Sequence, residues 1–114
     1  MMLHLSASCT CYFYNQPTDM RKSFNSLSGL ISNHMQLNAL SGGIFIFINK
    51  KRNQIKLLHW EGDGFAIYFK RLERGTYDLP ITDTGYIIAS AHLQLLLQGI
   101  QLKQIHYKKR YQRA

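Results

Sequence analysis

Lysine and arginine gather in short clusters along this chain of 114 residues, and phosphate binding is the chemistry such clusters offer. The first is Arg21-Lys22, just after Thr18-Asp19. If a helix starts there, two cations stand where the macrodipole disfavours them, and either a bound phosphate or a salt bridge to Asp19 would compensate. The second is Lys50-Lys51-Arg52, an all-positive loop between two nearly uncharged runs, with Lys56 following. A merely solvated hairpin tip is the plainer reading of it. The third is Tyr68-Phe69-Lys70-Arg71-Leu72-Glu73-Arg74, taken together with Trp60 and Phe65. Aromatics interleaved with cations resemble platforms on which unpaired bases stack, although an ordinary sheet core with a charged outer face has the same composition. Parity puts Phe65, Ile67, Phe69 and Arg71 on one face and Ala66, Tyr68, Lys70 and Leu72 on the other. Tyr68 and Lys70 therefore project together, and they are the pair expected to meet a ligand. Lys108, Lys109 and Arg110 form a last group, in a segment from Lys103 onward that contains no acid.

Bond-making chemistry finds less support. A metal-dependent nuclease needs carboxylates that converge on ions about 3.5–4 Å apart. Glu61, Asp63 and Glu73 are the candidates, yet Asp63 lies in a turn and Glu73 at the far end of the next strand, roughly 30 Å away at strand rise. His4, His34, His59, His92 and His106 are scattered without metal-ligand spacing. No nucleophile elbow, Walker loop or dinucleotide fingerprint occurs, and Gly62-x-Gly64 reads as a turn. Cys9 and Cys11, two apart on one strand, read as small core hydrophobes of a reducing cytoplasm rather than a disulfide or a zinc site. The expectation is a non-enzymatic protein without metal or cofactor.

The elements that would hold these clusters follow from periodicity. Alternation from Leu3 to Phe13 predicts a strand, or a strand with a break, that Asn15-Gln16-Pro17 ends. Thr18 stands where an N-cap belongs, and Met20, Phe24, Leu27, Leu30, Ile31 and Met35 recur at helical spacing, which predicts an amphipathic helix over 19–36. Ile44-Phe45-Ile46-Phe47-Ile48 is apolar on both faces, so it should be a central strand covered twice. A basic loop at 49–53 returns the chain into Ile55–Trp60, and Glu61-Gly62-Asp63-Gly64 turns it into Phe65–Leu72. A short extended piece surrounds Tyr77, and Tyr86-Ile87-Ile88 reads as one more short strand. Ser90 can cap a second helix near 90–99 carrying Leu93, Leu96, Leu97 and Ile100. The prediction is one α+β domain over 1–102, an antiparallel meander with a long amphipathic helix packed on it and a shorter C-terminal helix. A basic tail over 103–114 follows. Phe24, Leu27, Ile31, Phe45, Phe47 and Leu96 are the expected core.

Fourteen Lys and Arg against six Asp and Glu give a formal charge of +8. That excess points to a polyanion, with self-repulsion for solubility as the bland alternative. The 46% apolar content suffices for a core and argues against disorder. No run approaches the 18 or so apolar residues of a membrane helix, and the N-terminus lacks the features of a signal peptide. A cytoplasmic protein follows, and its small size makes a homodimer unsurprising.

The run from Thr18 to Pro80 resembles a known family. The matching stretches are Thr18-Asp19-Met20-Arg21-Lys22-Ser23-Phe24, then Ser41-Gly42 with Phe45-Ile46-Phe47, and Ile55 through Phe65. They continue with Tyr68, Lys70-Arg71-Leu72-Glu73-Arg74-Gly75 and Leu95-Leu96-Leu97-Gln98-Gly99-Ile100. In this order they are similar to TnpB, the small accessory protein encoded beside the transposase in the IS-sixty-six class of bacterial insertion sequences. The RNA-guided nucleases that share the TnpB name are unrelated to this pattern. Asn25-Ser26-Leu27-Ser28-Gly29 departs from the family's usual Gly-Leu pattern but keeps the apolar stripe. The resemblance implies an accessory role in DNA transposition while a larger protein does the strand chemistry, and it supplies no catalytic residues. Two functions agree with it: binding of element-end DNA through the basic surface, or docking on the transposase or another element-encoded helper without touching DNA.

Overall fold

Residues 9–82 and 85–98 are described by the computed structural model. The expected meander is present: β2 (Ile44–Ile48), β3 (Gln54–Trp60) and β4 (Phe65–Arg71) pair antiparallel in sequence. The sheet is nevertheless larger and mixed. β1 (Cys11–Phe13) lies parallel to β2, and β5 (Ile87–Ile88) lies antiparallel to β1, giving the order β4-β3-β2-β1-β5. A parallel neighbour needs a long crossover, and the segment between Phe13 and Ile44 supplies it with a helix.

That helix is shorter than its periodicity suggests. α1 spans Phe24–Leu30 and continues as a π-helical turn over Ile31–Met35, ending at Gln36 in the left-handed region. Thr18 is not its cap. The chain beyond β1 keeps following β2: Tyr14 donates its backbone N–H to the Ile46 carbonyl and Thr18 to that of Ile48, 2.9–3.0 Å away. A turn closed by the Lys22 N–H on the Asp19 carbonyl at 3.1 Å comes next, and the helix begins only after Ser23. Arg21 and Lys22 thus precede the helix, and the macrodipole does not act on them as expected. Phe24 is also a correction. It stands at the helix mouth, 44% exposed, and the stripe that meets the sheet starts one turn later at Leu27.

β2 is buried along its whole length, as its two-sided apolarity requires. Ile44, Ile46 and Ile48 join Ile55, Leu57, Phe13 and Tyr77 under α2 (Ser90–Leu97), which contributes Leu93 and Leu96. Phe45 and Phe47 face the other way, against Leu58, Tyr14 and the α1 stripe of Leu27, Ile31 and Met35. The sheet therefore has a helix on each face. Ala89, rather than Ser90, occupies the cap of α2. The expected strand residues 3–8, Gly99, Ile100 and the segment from Lys103 onward fall outside the described residues.

Candidate nucleic-acid interface

Three pieces of backbone bring the first two basic clusters together. The β2–β3 hairpin is pinned by Asn49, whose side-chain carbonyl accepts the N–H groups of Asn53 and Gln54 at 3.0 and 2.9 Å. Its amide donates to the Asn53 side chain at 2.8 Å, so the loop carrying Lys50 and Lys51 has a fixed shape. Arg52 closes it with φ of 60°, a region where a non-glycine side chain is disfavoured. Beside the hairpin, the backbone hydrogen bond from Thr18 to Ile48 holds the Asp19–Lys22 turn. The third wall is the outer end of β4. Together they line an open cleft of about 940 Å³ that includes Asp19, Arg21, Lys50, Lys51, Gln54, Phe69 and Arg71.

Four cations in this lining face the single carboxylate of Asp19. Asp19 is committed to Arg21: the guanidinium donates to both carboxylate oxygens at 2.6–3.1 Å, and the Arg21 backbone N–H adds a bond at 2.9 Å. Those side-chain and backbone hydrogen bonds hold the Asp19 carboxyl down at about 2. The local salt bridge weighed from the sequence is thus present, and it leaves Arg21 partly neutralised. Arg71 pairs with Glu73 at 3.2 Å, both well exposed, so the pair contributes little to stability. Lys50 and Lys51 are exposed.

Register decides what lies at the cleft's floor. Lys56 sits directly across from Phe69, and Gln54 across from Arg71. The Lys56 ammonium donates to the Lys22 carbonyl at 2.7 Å and stands 5.2 Å from the Phe69 ring centroid, a cation–π contact. Phe69 itself is 52% exposed. Composition hid this residue, because aromatics in strands are more often core; hairpin register would have found it, since it sets Phe69 opposite Lys56.

Other expected site residues lie elsewhere. Tyr68 and Lys70 do project together, but onto the face that α2 covers. Tyr68 packs against the isoleucine core, and the Lys70 ammonium caps the Leu97 carbonyl in the last turn of α2. Arg52 is exposed at the hairpin tip, its carbonyl accepting the Tyr77 N–H at 2.7 Å, and Arg74 is exposed beyond β4. Lys108, Lys109 and Arg110 fall outside the described residues. Among the described residues no three His, Cys, Asp or Glu come together as metal ligands, and no helix is long and apolar enough to cross a membrane. Cys9 and Cys11 are free thiols, and burial, aided by the neighbouring Cys9, pushes the Cys11 thiol up to about 11.

Comparison with known proteins identifies the pattern. Residues 9–107 match the family model described as IS66 Orf2 like protein. Two relatives come from Sinorhizobium fredii, both described as uncharacterized proteins. Protein y4hO is 37% identical over 84 residues, covering 73% of each chain. Protein y4jC is 27% identical over 94 residues, covering 82% of this chain and 80% of its own. No solved structure matches.

Proposed function

The chain belongs to the IS66 Orf2-like family of insertion-sequence proteins, and on that footing we propose that it binds DNA through the basic cleft without catalysing strand chemistry. Family membership makes it an accessory protein of transposition. The observation that carries the DNA reading is the convergence of Arg21, Lys50, Lys51 and Arg71 on one open cleft from three separate pieces of chain. Phosphates are the ligand such a surface takes, because each neutralising cation releases condensed counterions. The strand chemistry belongs to a separate element-encoded transposase in the cytoplasm, with which this protein cooperates at the element ends.

Salt dependence tests it. Each duplex phosphate contact contributes about 0.9 to the log–log slope of affinity against salt, so Lys50, Lys51 and Arg71 give roughly −2.7, and Arg21, held by Asp19, adds less than about another 0.9 in magnitude. Replacing Lys50, Lys51 and Arg71 together by Gln should reduce that magnitude by about 2.7. A slope unchanged by the triple variant would move the phosphates to another surface.

A second reading rests on the exposed apolar residues Leu79, Ile81 and Ile87, the last two 89% and 63% exposed. They suit docking on the transposase or another element-encoded helper. Absence of DNA binding at low salt, with co-purification of the transposase, would establish that reading instead.

A further inference from the structure

We infer that Phe69 is a stacking platform for an unpaired base, so that the cleft takes single-stranded DNA in preference to duplex. This rests on the cleft being a DNA site and narrows what kind of DNA it holds.

Phe69 is a large aromatic side chain in the middle of a sheet strand, yet it is 52% exposed. Its companions on the same face, Phe65 and Ile67, are partly buried against the α1 core, whereas Phe69 extends past it into the cleft. The ring is nevertheless held. Lys56 stands 5.2 Å from its centroid, and that ammonium is anchored by its 2.7 Å bond to the Lys22 carbonyl. A ring fixed from one side and open on another loses little freedom on stacking, which is the advantage of a preorganised site.

Its surroundings suit a nucleotide strand. Arg71 shares the ring's face two residues along, about 7 Å at strand rise. Lys50, Lys51 and Arg21 complete a cationic rim, and Gln54, opposite Arg71, brings a side-chain amide able to hydrogen-bond a base edge. Phosphates on the rim and a base on the ring are the two contacts by which single strands are held. A paired base within a helix has its faces covered by its neighbours, and a phenyl ring has no donor or acceptor to read a groove. Phe69 therefore adds to duplex binding only by prying base steps apart as a wedge.

Fluorescence anisotropy on the full chain separates these cases, using a labelled oligothymidylate and a duplex of equal length at matched salt. Phe69→Ala should weaken single-strand binding by about 5- to 150-fold and leave duplex binding within about twofold. Phe69→Trp should restore it, and Phe69→Leu, which keeps apolar bulk without a ring, should not. Thermal denaturation of each variant checks that the fold is kept. Unchanged single-strand affinity in Phe69→Ala overturns the inference, as does an equal loss on duplex, the mark of a wedge. Wild-type binding to duplex alone also overturns it while the cleft remains a DNA site. Binding to neither removes the DNA reading itself.

Discussion

On the α2 side of β4, Tyr68 packs against the isoleucine core and the Lys70 ammonium is occupied by the Leu97 carbonyl. On the opposite side, Phe69 is half open to solvent and Arg71 reaches into a cleft lined by other cations. The two pairs have the same chemistry, an aromatic ring and a cation two residues apart on one strand. Their roles diverge because Tyr68 and Lys70 meet the core under α2 and its last turn, while the α1 core reaches Phe65 and Ile67 but not Phe69. Lys70 gains a favourable position, since a cation at a helix C-terminus meets both the dipole and an orphan carbonyl. Parity says which side chains travel together; only the covering element says whether they become packing or a surface.

Unfolding energetics give the largest test of this contrast. Tyr68→Ala should cost about 2 kcal/mol in urea unfolding, less than the 3–5 kcal/mol of a fully buried ring, and Phe69→Ala under about 1 kcal/mol. Equal costs would mean that both faces are packed. The covered face also holds a cost of its own. The Tyr77 hydroxyl is buried without a hydrogen-bond partner among the described residues, and burial, followed by neighbouring Tyr68, pushes it up to about 12. Tyr77→Phe should therefore be neutral or stabilising by up to about 1 kcal/mol, whereas a loss greater than that would reveal a partner.

A pH dependence belongs to the same face. Desolvation lowers His92 below its ordinary value of 6.5, and Asp78 opposes that shift more weakly. The unfolded chain then binds the proton more readily, so stability is full above 6.5 and is lost as pH falls through the lower folded value. His92→Leu should flatten the stability profile in that window, and a profile that stays unchanged would assign the dependence to another group. The smallest effect expected is on the open side. Asp19→Asn keeps an acceptor for the Arg21 backbone N–H but frees the guanidinium, so the salt slope of DNA binding should steepen by at most about 0.9. A shallower slope would mean that the salt bridge positions Arg21 for phosphate.

The meander was legible because each strand is apolar in its own period and each turn is short; β2 spans the very residues its two-sided apolarity marks out. β1 was harder, since its parallel pairing with β2 depends on a crossover that periodicity within one segment cannot show. The same pairing explains the misplaced start of the helix: Thr18 has the chemistry of a cap, but its N–H is claimed by Ile48 of the sheet. Phe24 follows from that error by one turn. In the site, charge runs exposed Lys50, Lys51 and Arg71 at once, while Phe69 required register and Tyr68 required knowledge of where α2 lies.

The mixed order of the sheet sets a sequence of assembly. β2, β3 and β4 close through two short turns, whereas β1 must meet partners as distant as Ile88, which pairs with Cys11. Contacts of high sequence separation must offset loop-closure entropy before they stabilise, so they are expected to form after the local hairpins. The hairpin wall of the cleft and its Phe69 floor should thus exist before the Asp19–Lys22 wall closes over them. In native-state hydrogen exchange, the amides of β3 are expected to outlast those of α2 and β5, with the cleft complete only while β1 stays docked.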